Sequence, residues 1–163
     1  MKIAVSPAAP SAIQTPLLVV PVADNGDKVP IPELLSSDPA LQALAAPLFA
    51  AADVTGKFVE AVWQLAPTGV AAQRVLFLGA GKKDKFCLSE LRNFAGAAAR
   101  LAKAKNIKSF VLVLPTLVDL APAAQAATEG VVTGDFDVDT YRSDRKDQQL
   151  VEVTLSVPES ADA

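Results

Sequence analysis

The chain contains no histidine and only one cysteine, Cys87, among its 163 residues. Without histidine, the usual general base, the serine and cysteine triads and the commonest zinc ligand are excluded together. A lone cysteine allows neither an internal disulfide nor a cysteine-rich metal site. Such a chain suits a reducing compartment, and a cytoplasmic location is the expectation. Positive charge is also short: the formal net charge is −3 and the pI about 4.9. Neither nucleic acid nor an anionic membrane is therefore an expected partner. Lysines do cluster locally at Lys82, Lys83 and Lys85, and basic residues again at Arg100, Lys103, Lys105 and Lys108. No stretch supplies the ~20 apolar residues of a membrane span. The N-terminal apolar stretch is interrupted by Pro7, Pro10 and Pro16, which speaks against a signal peptide.

What is abundant is apolar material. Hydrophobic residues make up 51% of the chain, much of it alanine, which is enough to build the core of one domain. The runs 15–24, 74–80 and 107–115 are nearly continuous apolar segments, the pattern of strands buried on both faces. Pro21 predicts an edge position or a bulge for the first of these, and a short strand is expected around Val5. The segment 28–37 is proline-punctuated and reads as irregular. Residues 37–53 read as a helix capped by Asp38 or Ser37, with Pro39 in its first turn and Pro47 set to kink or shorten it. A turn at Gly56 precedes an alternating strand through Trp63, at the side of a sheet. Residues 89–105 form the clearest helix, with Ser89 as its cap and Leu91, Phe94, Ala98 and Leu101 on one face. A second helix is expected over 119–130, with Asp119 near its start and Gly130 near its end. A polar connection and an alternating strand at 150–157 complete the chain. Alternating strands and helices predict an α/β fold: a three-layer α/β/α sandwich around a mixed, largely parallel sheet. The domain is expected to fill residues 1–157, with 158–163 as a tail or the start of a linker.

The segment "RVLFLGAGKKDK" carries the best candidate site. An apolar strand runs into Gly79-Ala80-Gly81 and then lysines, so Gly79, Gly81, Lys82 and Lys83 are the candidate anion-binding residues. The match to known phosphate loops is incomplete. A dinucleotide-binding turn needs glycine where Asp84 stands, and a P-loop needs Ser or Thr where Lys83 stands and glycine where Leu76 stands. The competing reading is a tight strand-to-helix turn with solvated lysines. Asp135, Asp137 and Asp139 imitate the opening of a calcium loop, but Thr140 and Lys146 occupy its glycine and glutamate positions, so a solvated acidic loop is expected. Cys87 precedes a helix without a histidine partner and reads as an idle thiol. Trp63 reads as core or interface. No residue is assigned a catalytic role, a metal or a cofactor.

Three stretches taken together resemble the N-terminal domain of the leucyl (cytosol) aminopeptidases. "DVTGKFVEAVWQLAP" is similar to the family's Asp-Phe-x-Gly-Lys-x-Gly-Glu segment, matching at Asp53, Gly56, Lys57 and Glu60 and departing at Val54 and Val59. "RVLFLGAGKKDKFCLSELRNFAGAAAR" resembles its Leu-Val-Gly-Leu-Gly-Lys turn and the following helix, matching at Gly79, Gly81 and Lys82, with Ala80 for the usual leucine. "AAQAATEGVVTGDFDVDTYRSD" resembles a third stretch at Glu129, Gly130, Gly134, Phe136, Asp139, Tyr141 and Arg142. The resemblance implies a macro-domain-like fold and a non-catalytic domain set outside a hexameric core, where it helps assembly and shapes access to the active sites. It implies two divalent metal ions, commonly zinc, in a separate catalytic domain whose Asn-Thr-Asp-Ala-Glu-Gly-Arg signature has no counterpart here, so no ligand is assigned to any position of this chain. Some bacterial members also bind DNA, against which the acidic pI argues. The alternative is a stand-alone macro-domain-like module that binds ADP-ribose or a nucleotide at residues 79–85. A third is a pure assembly domain using the Trp63 strand or the alanine-rich helix faces.

Overall fold

The structure, a computed structural model, describes residues 1–136 and 149–157. Its sheet is built on the most apolar segments. Leu18–Asp24 (β2) and Arg74–Lys82 (β5) run parallel, from Leu18 opposite Val75 to Asp24 opposite Lys82. Ser109–Val113 (β6), Glu152–Ser156 (β7) and Lys2–Ser6 (β1) extend the parallel sheet on the other side of β2. Two short antiparallel strands make it mixed: Glu33–Leu34 (β3), beside the end of β2, and Ala61–Leu65 (β4), at the edge against β5. Across the sheet the order is β1-β7-β6-β2-β5-β4.

Both faces are covered by helices. Leu88–Ala104 (α2) and Leu120–Asp135 (α3) lie on one face, where Leu91, Phe94 and Ala127 join Leu76, Leu78 and Phe110 in one core. Pro39–Ala50 (α1) lies on the other, where Leu41 and Ala45 meet Val20, Phe77 and Val111. Successive residues of β5 thus feed opposite cores, which is why its sequence is continuously apolar instead of alternating. Burying one such side chain, Phe77 for example, contributes about 1.5–3 kcal/mol. This is the expected three-layer sandwich.

Several local expectations change. Pro21 sits in a central strand, not at an edge; it is tolerated because β6 pairs with β2 only as far as Val19. Beyond that point the Pro21 carbonyl accepts the Leu35 N–H at 3.0 Å, and the register of β2 shifts between Val22 and Ala23. The proline-punctuated segment is not wholly irregular, since β3 lies within it. The cap of α2 is Cys87, which makes no side-chain capping bond, and Ser89 is already inside the helix. Gly130 does not end α3, which continues to Asp135. α1 keeps its expected cap, Asp38, and ends three residues after Pro47, at Ala50. Residues 137–148 and 158–163, including Asp137, Asp139, Tyr141, Arg142 and Lys146, lie outside the described residues.

Candidate functional site

Gly79, Ala80 and Gly81 do not form a turn. They belong to β5, which runs to Lys82 and passes into a short 3-10 turn over Lys83–Lys85. The loop 53–60 lies directly against them. Val59 N–H donates to the Gly79 carbonyl at 3.0 Å, Gly79 N–H to the Glu60 carbonyl at 2.8 Å, and Gly81 N–H to the Gly56 carbonyl at 3.0 Å. The loop comes so close that a Cβ on Gly79 would stand 1.7 Å from the Lys57 carbonyl oxygen. Gly56 in turn is pressed against β2, where an added Cβ would lie 2.6 Å from the backbone of Ala23 and Asp24. Its φ of +82° is also one that glycine adopts without strain.

Glu60 fastens this loop. One of its carboxylate oxygens accepts the Thr55 N–H at 2.8 Å, the Thr55 hydroxyl at 2.9 Å and the Gly56 N–H at 3.0 Å. In the sequence Glu60 stands out as a match to the aminopeptidase segment and as a polar strand position, with no structural role attached to it. The four-residue spacing to Gly56 is the sole local signal for its role, and that spacing is common in loops.

The candidate anion-binding residues are therefore brought together, but the donors of Gly79, Gly81 and Lys83 are engaged. The N–H groups of Gly79 and Gly81 already serve the loop carbonyls. Lys83 Nζ pairs with Glu33 at 2.6 Å, and Lys82 is exposed at the rim. The open depression beside them, about 630 Å³, is lined by Lys28, Lys82 and Lys83 but equally by Asp24, Asp27 and Asp84. Three carboxylates offset three ammonium groups, so the surface does not concentrate positive charge for a phosphate.

The third stretch also packs backbone against backbone. On α3, a Cβ on Gly130 would lie 2.2 Å from the Arg92 carbonyl oxygen, and one on Gly134 2.5 Å from the Gly96 carbonyl oxygen of α2. Beside this crossing Arg92 pairs with Glu129 at 2.6 Å. Hydrogen bonds from Gln125 and Arg92, with the Arg92 charge, hold the Glu129 carboxyl below its ordinary value. Asp135, the first acid of the calcium-like series, accepts the Leu150 N–H at 3.0 Å and faces Lys103 Nζ at 3.5 Å. Cys87 is exposed. Trp63 packs against the α2/α3 core, with Lys105 Nζ 5.5 Å from its ring centre. Among the described residues no three His, Cys, Asp or Glu side chains converge as metal ligands.

The three stretches thus mark places where distant backbones touch. The same region is what known proteins share with this chain: the family described as "Cytosol aminopeptidase family, N-terminal domain" matches residues 19–145. The chain belongs to the cytosol aminopeptidase family, as its N-terminal domain. A probable cytosol aminopeptidase of Acidobacterium capsulatum is 41% identical over 162 residues, covering 93% of this chain and 32% of that protein. One from Koribacter versatilis is 36% identical over 181 aligned positions, covering all of this chain and 35% of the relative. The chain therefore spans about a third of the length of the curated cytosol aminopeptidases it matches. Among solved structures, a tomato leucine aminopeptidase mutant superposes with a TM-score of 0.72 over 98% of this chain and 32% of its own, at 21% identity. The bottromycin maturation enzyme BotP gives 0.59 at 22% identity, over 90% of this chain and 28% of its own. A second BotP structure, described as a complex with Mn, gives 0.54. At these identities the likeness is one of fold, and that fold is the N-terminal domain of a leucine aminopeptidase.

Proposed function

We propose that this domain is non-catalytic and serves a parent aminopeptidase that releases N-terminal amino acids from peptides, contributing to subunit assembly and to access to the active sites. The observation that carries the reading is coverage: the chain matches the family's N-terminal domain and only about a third of each full-length relative. In this reading the domain occupies residues 1–157, with 158–163 as a tail or the start of a linker, and the catalytic domain of the same protein is its main partner. The parent is a cytoplasmic homo-oligomer, a hexamer as in the family, without membrane or nucleic-acid partners. None of the described helices is long and apolar enough to cross a membrane.

The reaction of the parent is two-metal hydrolysis, in which paired divalent ions, commonly zinc, activate a bridging water and steady the leaving group. The manganese named for one structural neighbour supports a divalent metal. The described residues of this chain do not fit such a centre, because no trio of ligating side chains converges, and no catalytic step is assigned to them. A leucine p-nitroanilide assay with Zn²⁺ or Mn²⁺ tests the division of labour. The chain alone is expected to give no turnover, and turnover is expected once it is fused to the remaining two thirds of the Acidobacterium relative. Robust hydrolysis by the chain alone would sink the non-catalytic reading.

A further inference from the structure

A cavity of about 160 Å³ lies at the carboxyl ends of β1, β6 and β7, beside the start of α1. The cavity opens outside the carboxyl ends of these parallel strands, the end at which ligands of open α/β sheets bind. Two polar groups in its wall are unusual. Ser156, opposite Val113 and Ser6 in the sheet, is 1% exposed, and among the described residues its Oγ has no hydrogen-bond partner. A buried hydroxyl left unpaired costs about 1–3 kcal/mol. Asp38 is 7% exposed. Its carboxylate accepts the Ser11 N–H at 2.9 Å, the Ala40 N–H at 2.9 Å and the Leu41 N–H at 3.4 Å. Burial raises its pKa, but these bonds and one from the Ser11 hydroxyl outweigh it and hold the group below 3.8, so it is ionised at neutral pH. Among the described residues no lysine or arginine lines the cavity, and no ion pair reaches Asp38.

The described wall therefore presents a buried carboxylate held by N–H groups and the start of α1 but by no cation, an unused hydroxyl, and apolar surface from Pro7, Pro10, Val113 and Val157. Buried charges are normally paired. An anion is disfavoured, because Asp38 already takes the N–H groups of Ala40 and Leu41 at the start of α1, and Pro39 has none. We propose that this cavity binds a small organic cation, a protonated primary amine on a short alkyl chain, with its ammonium between Asp38 and Ser156 and its chain against the prolines and valines. A cavity of about 150 Å³ accepts benzene, so 160 Å³ suits a ligand of about six heavy atoms.

The probe is 3-methylbutan-1-amine, titrated at neutral pH and constant ionic strength into the ¹⁵N-labelled 163-residue chain, with backbone amide shifts as the readout. Saturable shifts are expected at Ser11, Asp38 and Ser156. Asp38→Asn, which keeps one capping oxygen for the Ala40 and Leu41 N–H groups but gives up the acceptor for Ser11 N–H, should weaken binding at least ~10-fold, the loss of one charge-assisted contact. Ser156→Ala should weaken it several-fold while leaving the amide spectrum otherwise native. The proposal is overturned by any of four results: no saturable shift at millimolar amine; equal response to 4-methylpentanoate or potassium chloride; unchanged affinity in D38N; or a crystal grown with the amine that shows only an ordered water on Ser156.

Discussion

Gly79→Ala separates a packing glycine from a ligand-binding one. The new methyl would stand 1.7 Å from the Lys57 carbonyl oxygen, a backbone atom that no rotamer change can move aside. Restoring an ordinary contact near 3.5 Å requires the 53–60 loop to retreat by about 1.8 Å. The bonds from Val59 N–H to Gly79 and from Gly79 N–H to Glu60, at 3.0 and 2.8 Å, do not survive that displacement. Each is worth about 0.5–1.5 kcal/mol net, and the residual overpacking adds about 1–3 kcal/mol. The expected loss is about 3 kcal/mol or more, against typical domain stabilities of 5–15 kcal/mol. Urea unfolding followed by circular dichroism measures it as a lower midpoint at unchanged slope. Gly81→Ala is the control. Its φ of +85° is strained for alanine, but its Cβ would meet only the Phe58 side chain, at 3.6 and 3.9 Å, so it should cost only about 1–2 kcal/mol. If Gly79→Ala were as stable as the parent chain, or milder than Gly81→Ala, the close approach of the loop would be refuted.

Other substitutions probe the remaining joints. Glycine to alanine inside a helix ordinarily stabilises by about 1 kcal/mol. At Gly130 the sign should reverse, to a net loss of about 1–3 kcal/mol, because the methyl meets the Arg92 carbonyl oxygen at 2.2 Å; a raised thermal midpoint would contradict the α2–α3 contact. Asp38→Ala should cost about 0.5–2 kcal/mol through loss of the α1 cap. Because the folded pKa of Asp38 lies below its ordinary 3.8, its contribution is complete above about pH 4 and fades as pH falls through the folded value. The stability gap between the parent chain and Asp38→Asn should therefore narrow in acid, and urea midpoints between pH 6 and 2 that stay parallel would count against this. Glu60→Gln keeps an acceptor but removes the charge that takes three hydrogen bonds; a loss of about 1–2 kcal/mol is expected, with faster amide exchange at Thr55 and Gly56 as the local signature.

The fold was largely legible because burial patterns are local. Continuous apolar runs marked β2, β5 and β6, and the Asp38-Pro39 pair marked the start of α1. Two of the expectations that change share one cause. Gly130 was read as a helix end because glycine favours that place, and Gly79 to Gly81 as a turn for the same reason. Both sit inside regular elements, where the missing side chain admits another backbone. Pro21 predicts an edge or a bulge because a proline removes a ladder donor; the strand is central, but β6 and β3 divide that side of β2 between them and its register shifts between Val22 and Ala23.

Composition and periodicity by themselves determined the α/β class, the strands that form the centre, and the classes of chemistry that a chain without histidine lacks. The ordered motif stretches determined the family. Only the tertiary structure decided what those motifs do. Gly79 meets Lys57, Gly130 meets Arg92, and Asp38 shares a cavity wall with Ser156. Each pair joins segments far apart in the chain, and their proximity follows from how helices and loops stack on the sheet. Hydrophobic pattern specifies which face of an element is buried; it carries no information about which distant backbone will be pressed against it.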